Sequence, residues 1–299
     1  MCRSLYPRRG ISLLELLIVI AIIAILITLT VSGVQKARQS AARTRCINHM
    51  RQLGLALHGY HDAKGQLPAG MTHDNERAPE PYLSWLARLL PYVEQEPLWR
   101  QTEEAFQTEK NFLSPVHAAR GRVVSLFLCP ADSRITSAAS QDRTNHPVAY
   151  TSYLGVEGVN AGVNNGLLYI DSKHKFSDAI DGTSSTLLIG ERPPSANLDL
   201  GWWYAGWGQR QNGDAEFLLG ARTRCYNRYR DICDEGPYHF TPGTFQNPCD
   251  AFHFWSPHAG GGANFAFADG SVKFLRYSAD EILPALATRA GGEVVTLPE

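Results

Sequence analysis

The sequence predicts an α+β fold, with a long N-terminal spine helix packed on a mostly antiparallel β domain. Three observations carry that expectation. The run ISLLELLIVIAIIAILITLTVSGV (11–34) is apolar and long enough to cross a bilayer, for which about 20 residues at about 1.5 Å each suffice. Next, Cys46, Met50, Leu53, Leu57 and Tyr60 recur at 4-3-4-3 spacing, which is one stripe of a helix. Beyond residue 62 the chain breaks into short segments divided by Gly, Pro, Asn and Asp.

Taken in order, residues 1–10 are a short basic leader and 11–34 a transmembrane helix. Residues 35–62 continue that helix in amphipathic form, with Arg43, Arg45, Asn48, Arg51 and Gln52 falling between the apolar positions. The pattern stops near His61, before Gly65 and Pro68. A continuous helix over 11–61 would be on the order of 75 Å long. Residues 63–299 form the globular domain. There 82–100 reads as a helix interrupted at Pro91. The segments 123–130, 146–156, 187–194 and the aromatic GWWYAGWG (201–208) read as strands. NFAFADGSVKFL (264–275) is the clearest hairpin, with alternating Phe265 and Phe267, then Val272 and Phe274, around an Asp269-Gly270 turn.

Composition narrows the function. The 299 residues are 19% charged and 10% aromatic, which does not describe a disordered chain. A formal net charge of -1 gives no electrostatic case for nucleic acid. The six cysteines include no C-x-x-C, so they suit disulfides in an oxidising compartment better than a zinc ribbon. No G-x-S-x-G, H-E-x-x-H or phosphate-cradling Gly-Lys loop occurs, so the sequence supports no enzyme. Basic residues lie on both sides of the apolar run, and their count does not favour an exported C-terminal region.

Glu15 stands out within the apolar run. A carboxylate at mid-bilayer costs roughly 2.5–3.5 kcal/mol on insertion scales, which ordinarily marks a functional residue. The stretch Gly10-Ile11-Ser12-Leu13-Leu14-Glu15 resembles a prepilin cleavage and methylation signal, with Ile in place of the usual Phe after the cut and Ser in place of Thr. The resemblance implies cleavage between Gly10 and Ile11 by a prepilin peptidase and N-methylation of Ile11. It also implies a role for Glu15 in neutralising the terminal amine of a neighbouring subunit.

RCINHMRQLGLALHGYHDAKGQLPAG, LSWLARLLPYVEQEPLW, FLCPAD, DAIDGTSSTLLIGERP and NPCDAFHFWSPHAGGGANFAFADGSVKFL resemble a large bacterial family. It joins a prepilin-type N-terminus to a domain of unknown function (number 1559) and is often described as pseudopilin-like or type II secretion protein G-like. Its terminal motif is a His, nine residues, then Asp-Gly. Here His258 precedes Asp269 and Gly270 with ten residues between, and the extra one falls in the flexible Gly260–Gly262 run.

The candidate sites follow. Cys46, on the inward stripe, and Cys129, ending a buried segment, are expected to pair and staple the helix to the body. One further pair is expected among Cys225, Cys233 and Cys249. His253, His258, Asp250 and Asp269 are read as a turn-and-hairpin corner in preference to a metal cluster. Asp178, Asp181 and Glu191 flank an oxygen-rich DGTSST loop and are the ligand set if calcium binds. A turn or helix cap is the alternative, and no cofactor is assigned. Trp202, Trp203 and Trp207 are expected in the core, with a subunit interface or sugar platform as alternatives.

The expected function is a pilin- or pseudopilin-like subunit. Its partners would be a prepilin peptidase, other pilin-like subunits and membrane lipid. It would be anchored by a single pass in the inner membrane, with its globular domain extracytoplasmic. A membrane-anchored binding module that never assembles is the second reading.

Overall fold

The computed structural model describes residues 13–73, 78–135, 140–141, 146–226, 229–293 and 295–296. The leader, with Gly10 and Ile11, lies outside them. The chain divides into two units, residues 1–41 and 42–299.

Helix α1, Leu13–Lys64, contributes to both units. Its residues in the first unit are solvent-exposed, including the whole apolar series from Leu13 to Val34. An 18-residue window there has mean hydropathy 3.0, the only such span among the described residues. In the second unit α1 buries Cys46, Met50, Leu53, Gly54, Ala56 and Leu57 along one face, and Tyr60 is half-buried. Arg45, Asn48, Arg51 and Gln52 lie exposed on the other.

Helices α2 (Trp85–Arg88) and α3 (Glu96–Thr108) flank a 3₁₀ turn, Leu90–Val93, that contains Pro91. The proline thus interrupts the helix as expected, and α3 runs on to Thr108. Strands β1 (Ser140–Gln141) and β2 (Pro147–Val148) form a two-stranded ribbon. The main sheet holds β3 (Tyr153–Val156), β4 (Leu187–Glu191), β5 (Leu218–Leu219), β6 (Gly262–Phe267) and β7 (Val272–Arg276), in the order β5-β3-β4-β6-β7. Only the β3–β5 pair is parallel. A short helix α4, Leu283–Ala287, follows the sheet.

The sheet is buried on both faces. On one side Tyr153, Ile189, Ala266 and Ala268 pack with the α1 stripe and Trp85. On the other, Leu154, Val156, Leu187, Phe265 and Phe267 meet Phe252, Phe254 and Phe240. The period-2 alternation of β6 explains the division: Asn264 and Ala266 on the helix face, Ala263, Phe265 and Phe267 opposite. The hairpin turn has three residues, closed by Gly270 N–H to Phe267 O (2.9 Å) and Phe267 N–H to Ser271 O (2.9 Å). Gly270 has φ 81°, the left-handed conformation such a turn requires.

Three strand expectations are corrected. Residues 123–130 contain a 3₁₀ turn, Ser125–Phe127, because Phe127 and Leu128 N–H groups bond backward to Val124 and Ser125. The 146–156 segment is split into β2 and β3, since the Thr151 hydroxyl accepts the Tyr153 N–H and so competes with the ladder. Residues 201–208 make only isolated bridges, Tyr150↔Trp202 and Leu83↔Ala205. The Gly201 and Trp202 N–H groups go to the Glu216 carboxylate (2.9 and 2.8 Å), not to a strand partner.

Candidate functional site: the spine helix and the buried cluster beneath it

Two parts of the molecule carry the sequence-predicted residues. The first is the start of α1. Glu15 is exposed in its first turn, where the positive end of the helix dipole favours a carboxylate.

The second part lies where α1 meets the sheet. Cys46 and Cys129 form a disulfide, with Cα atoms 5.4 Å apart and a sequence separation of 83. Around it α1 makes polar contacts that fix its axial position. His49 Nδ1 lies 3.0 Å from Leu128 O, and His58 Nε2 lies 3.0 Å from Ala268 O. The Arg43 guanidinium stacks 3.6 Å from the centre of the Phe274 ring. Gly54 faces the hairpin turn so closely that a Cβ there would lie 3.6 Å from Gly270 Cα.

His258 is buried beside the disulfide. Its Nε2 is 3.4 Å from Cys129 Sγ and 3.2 Å from Glu191 Oε1. The other oxygen of Glu191 accepts the Asn264 backbone N–H (2.8 Å) and side-chain amide (2.9 Å). One ligand atom each from Cys46, Cys129, Glu191 and His258 falls within 4.8 Å of all the others, and all four residues are buried. Among the described residues no other group of three or more such side chains comes together.

That arrangement regroups the candidates. His258 and Asp269 sit at opposite ends of β6 and do not form a pair. Asp269 instead accepts the Ser271 N–H (2.8 Å) inside the turn. The extra residue between them is taken up by Gly260 and Gly261, with φ 116° and 67°. Asp250 and His253 form a separate contact (3.2 Å), and Asp250 also accepts the Thr244 N–H (2.6 Å). The three calcium candidates have separate partners. Asp178 takes the His174 imidazole (2.9 Å), a hydrogen bond that lowers its pKa. Asp181 accepts from Gly291 and Gly292 N–H, and Glu191 lies in the buried cluster.

The remaining candidates also separate. Cys233 pairs with Cys249, leaving Cys225 buried as a free thiol. Trp203 is fully buried and donates its indole N–H to Arg122 O (2.9 Å). Trp202 is half-buried, and Trp207 is 39% exposed against the Phe112 ring. The three tryptophans therefore form no common platform.

Sequence reasoning missed a buried polar network on the far side of β4. Arg192 is fully buried there and donates to Pro193 O (2.9 Å) and Ala215 O (2.6 Å). Burial lowers its pKa to about 10. Burial pushes Glu216 up to about 8, against the opposing pull of the Trp202 and Gly201 N–H groups and of Arg192. Glu157 and Asp214 are buried against each other and both are shifted upward, by desolvation first. The GER triplet was the one available signal, since a charged pair inside an apolar strand needs buried partners.

These features define a class: an α+β domain whose spine helix extends into an exposed apolar segment with a carboxylate in its first turn. The family model for "Protein of unknown function (DUF1559)" matches residues 35–281, and the chain belongs to that family. A second model, the prokaryotic N-terminal methylation motif, matches residues 6–31. No curated protein and no solved structure matches the chain.

Proposed function

We propose that this chain is a pilin-like structural subunit. A prepilin peptidase cleaves it between Gly10 and Ile11 and Ile11 is N-methylated. The mature chain then assembles through the first half of α1 into a pilus or secretion pseudopilus. One observation carries the reading: the methylation motif at 6–31 coincides with an exposed apolar helix whose first turn holds Glu15.

The physical argument runs through the bilayer. An apolar helix surface has lipid as a sufficient partner, but a carboxylate does not. A cleaved neighbour offers a cationic amino terminus, and Glu15 is placed to meet it in the first turn. The paired charges offset the desolvation that either one alone would suffer. The globular domain then lies outside the cytoplasm, where the two disulfides persist.

Glu15→Ala in the native host tests this. The variant should reach the membrane in normal amount but disappear from the high-molecular-mass assemblies trapped by chemical crosslinking. If Glu15→Ala assembles as well as the parent, or if the parent is itself monomeric, the protein is a membrane-anchored binding module.

A further inference from the structure

The geometry points to a zinc site made by the reduced form of the Cys46–Cys129 pair together with His258 and Glu191. The donor set is a mixed one, two thiolates, an imidazole and a carboxylate, and zinc accepts all three types in a tetrahedron. Its bond lengths, about 2.3 Å to sulfur and about 2.0–2.1 Å to nitrogen or oxygen, imply tetrahedral edges of about 3.3–3.8 Å. The observed separations are of that size: Cys129 Sγ to His258 Nε2 is 3.4 Å, and His258 Nε2 to Glu191 Oε1 is 3.2 Å. All four donor atoms already lie within 4.8 Å of one another.

The surroundings are those of a built site. The four residues come from α1, the loop after Phe127, the end of β4 and the loop before β6, so chain proximity does not explain their meeting. Glu191 Oε2 is held by both N–H groups of Asn264, which turns Oε1 toward His258 and the sulfurs. An outer partner that orients a ligating carboxylate is characteristic of metal sites. The cluster is buried, so the ion would be shielded from water on every side.

The chemistry balances simply. Reduction by a phosphine takes the disulfide to two thiols, with two electrons and two protons supplied by the phosphine and water. Zinc then displaces both thiol protons and binds Nε2, the imidazole carrying its remaining proton on Nδ1. The two thiolates and the carboxylate carry three negative charges against two on the ion. The same two sulfurs thus staple α1 to the sheet covalently when oxidised and through the ion when reduced. This inference does not depend on assembly of the chain into a filament.

The test uses the full chain in detergent, reduced with a phosphine, and zinc and cobalt(II) as probes. The reduced chain should hold one zinc per molecule and melt at a higher temperature with it, whereas the oxidised chain holds none. Cobalt(II) in its place should give thiolate charge-transfer bands and the intense visible bands of a tetrahedral ion. His258→Ala and Glu191→Gln should each weaken zinc binding by roughly 100-fold, since loss of an outer partner alone already costs about 10–100-fold. Cys233→Ser with Cys249→Ser should leave it unchanged. The proposal is overturned if the reduced chain takes up no zinc or stays unfolded with it. It is equally overturned if His258→Ala binds zinc as tightly as the parent, which is what adventitious capture by two thiols would give.

Discussion

The two halves of α1 use their apolar residues in opposite ways. From Leu13 to Val34 the side chains are apolar all round and exposed. From Cys46 to Leu57 the apolar stripe of Cys46, Met50, Leu53 and Leu57 is buried in the β domain, while Leu55 on the opposite face stays exposed. A stripe specifies one partner surface and one register, and the second half accordingly carries the fixing contacts: the disulfide, His49, His58 and Arg43. A ring specifies only an apolar environment. Glu15 is the one charged residue in that ring, and this is why the functional reading rests on it.

The contrast is sharpest in the staple. Cys46→Ser should destabilise the oxidised globular domain by about 4–5 kcal/mol in the chain-entropy model, because the bond closes a loop of 83 residues. Denaturant melts of parent and variant measure it, and an effect under about 1 kcal/mol would mean the stripe alone holds the helix. Next comes packing. Leu53→Ala, at a fully buried position, should cost about 2–5 kcal/mol. Leu17→Ala, in the exposed ring, should change domain stability by less than about 0.5 kcal/mol. Equal costs would break the distinction between the two halves.

The buried acids give a pH dependence that belongs to the domain alone. Glu216 has a folded pKa of about 8 against an ordinary value of 4.5, so the folded chain holds its proton where the unfolded chain has lost it. Its contribution is full below about pH 4.5 and is lost as pH rises through about 8, and the upward shifts of Glu157 and Asp214 act in the same sense. The melting temperature should therefore fall between pH 5 and pH 8. Glu216→Gln should remove on the order of 3 kcal/mol of that fall. A variant whose profile matches the parent's contradicts this assignment. Within the domain a small effect is expected at Arg43, whose stacking on Phe274 is worth about 0.5–1 kcal/mol at a half-exposed site. Arg43→Ala measured by the same melts checks it.

How legible each part was in the sequence depends on where its partners come from. The α1 stripe and the hairpin were readable because their periodicity is local. The 123–130 and 201–208 segments are not strands: backbone carbonyls take the Phe127 and Leu128 N–H groups in the first, and the Glu216 carboxylate takes those of Gly201 and Trp202 in the second. The parallel strand Leu218–Leu219 is two residues long, too short to leave a period. The cluster was half legible. Cys46 and Cys129 were named together, but Glu191 was grouped with Asp178 and Asp181, and His258 with Asp269, because each stood near those residues in the chain. The pairing of β4 with β6, through the Gly190↔Phe265 register, is what carries Glu191 to Asn264 and His258.

The central claim is that the first half of α1 becomes the assembly surface of a processed subunit. Intact-mass and N-terminal peptide mass spectrometry on the native membrane fraction tests it most directly. The account predicts a mature chain that begins at N-methylated Ile11. A chain that retains Met1–Gly10, or one cut after residue 30, would contradict it.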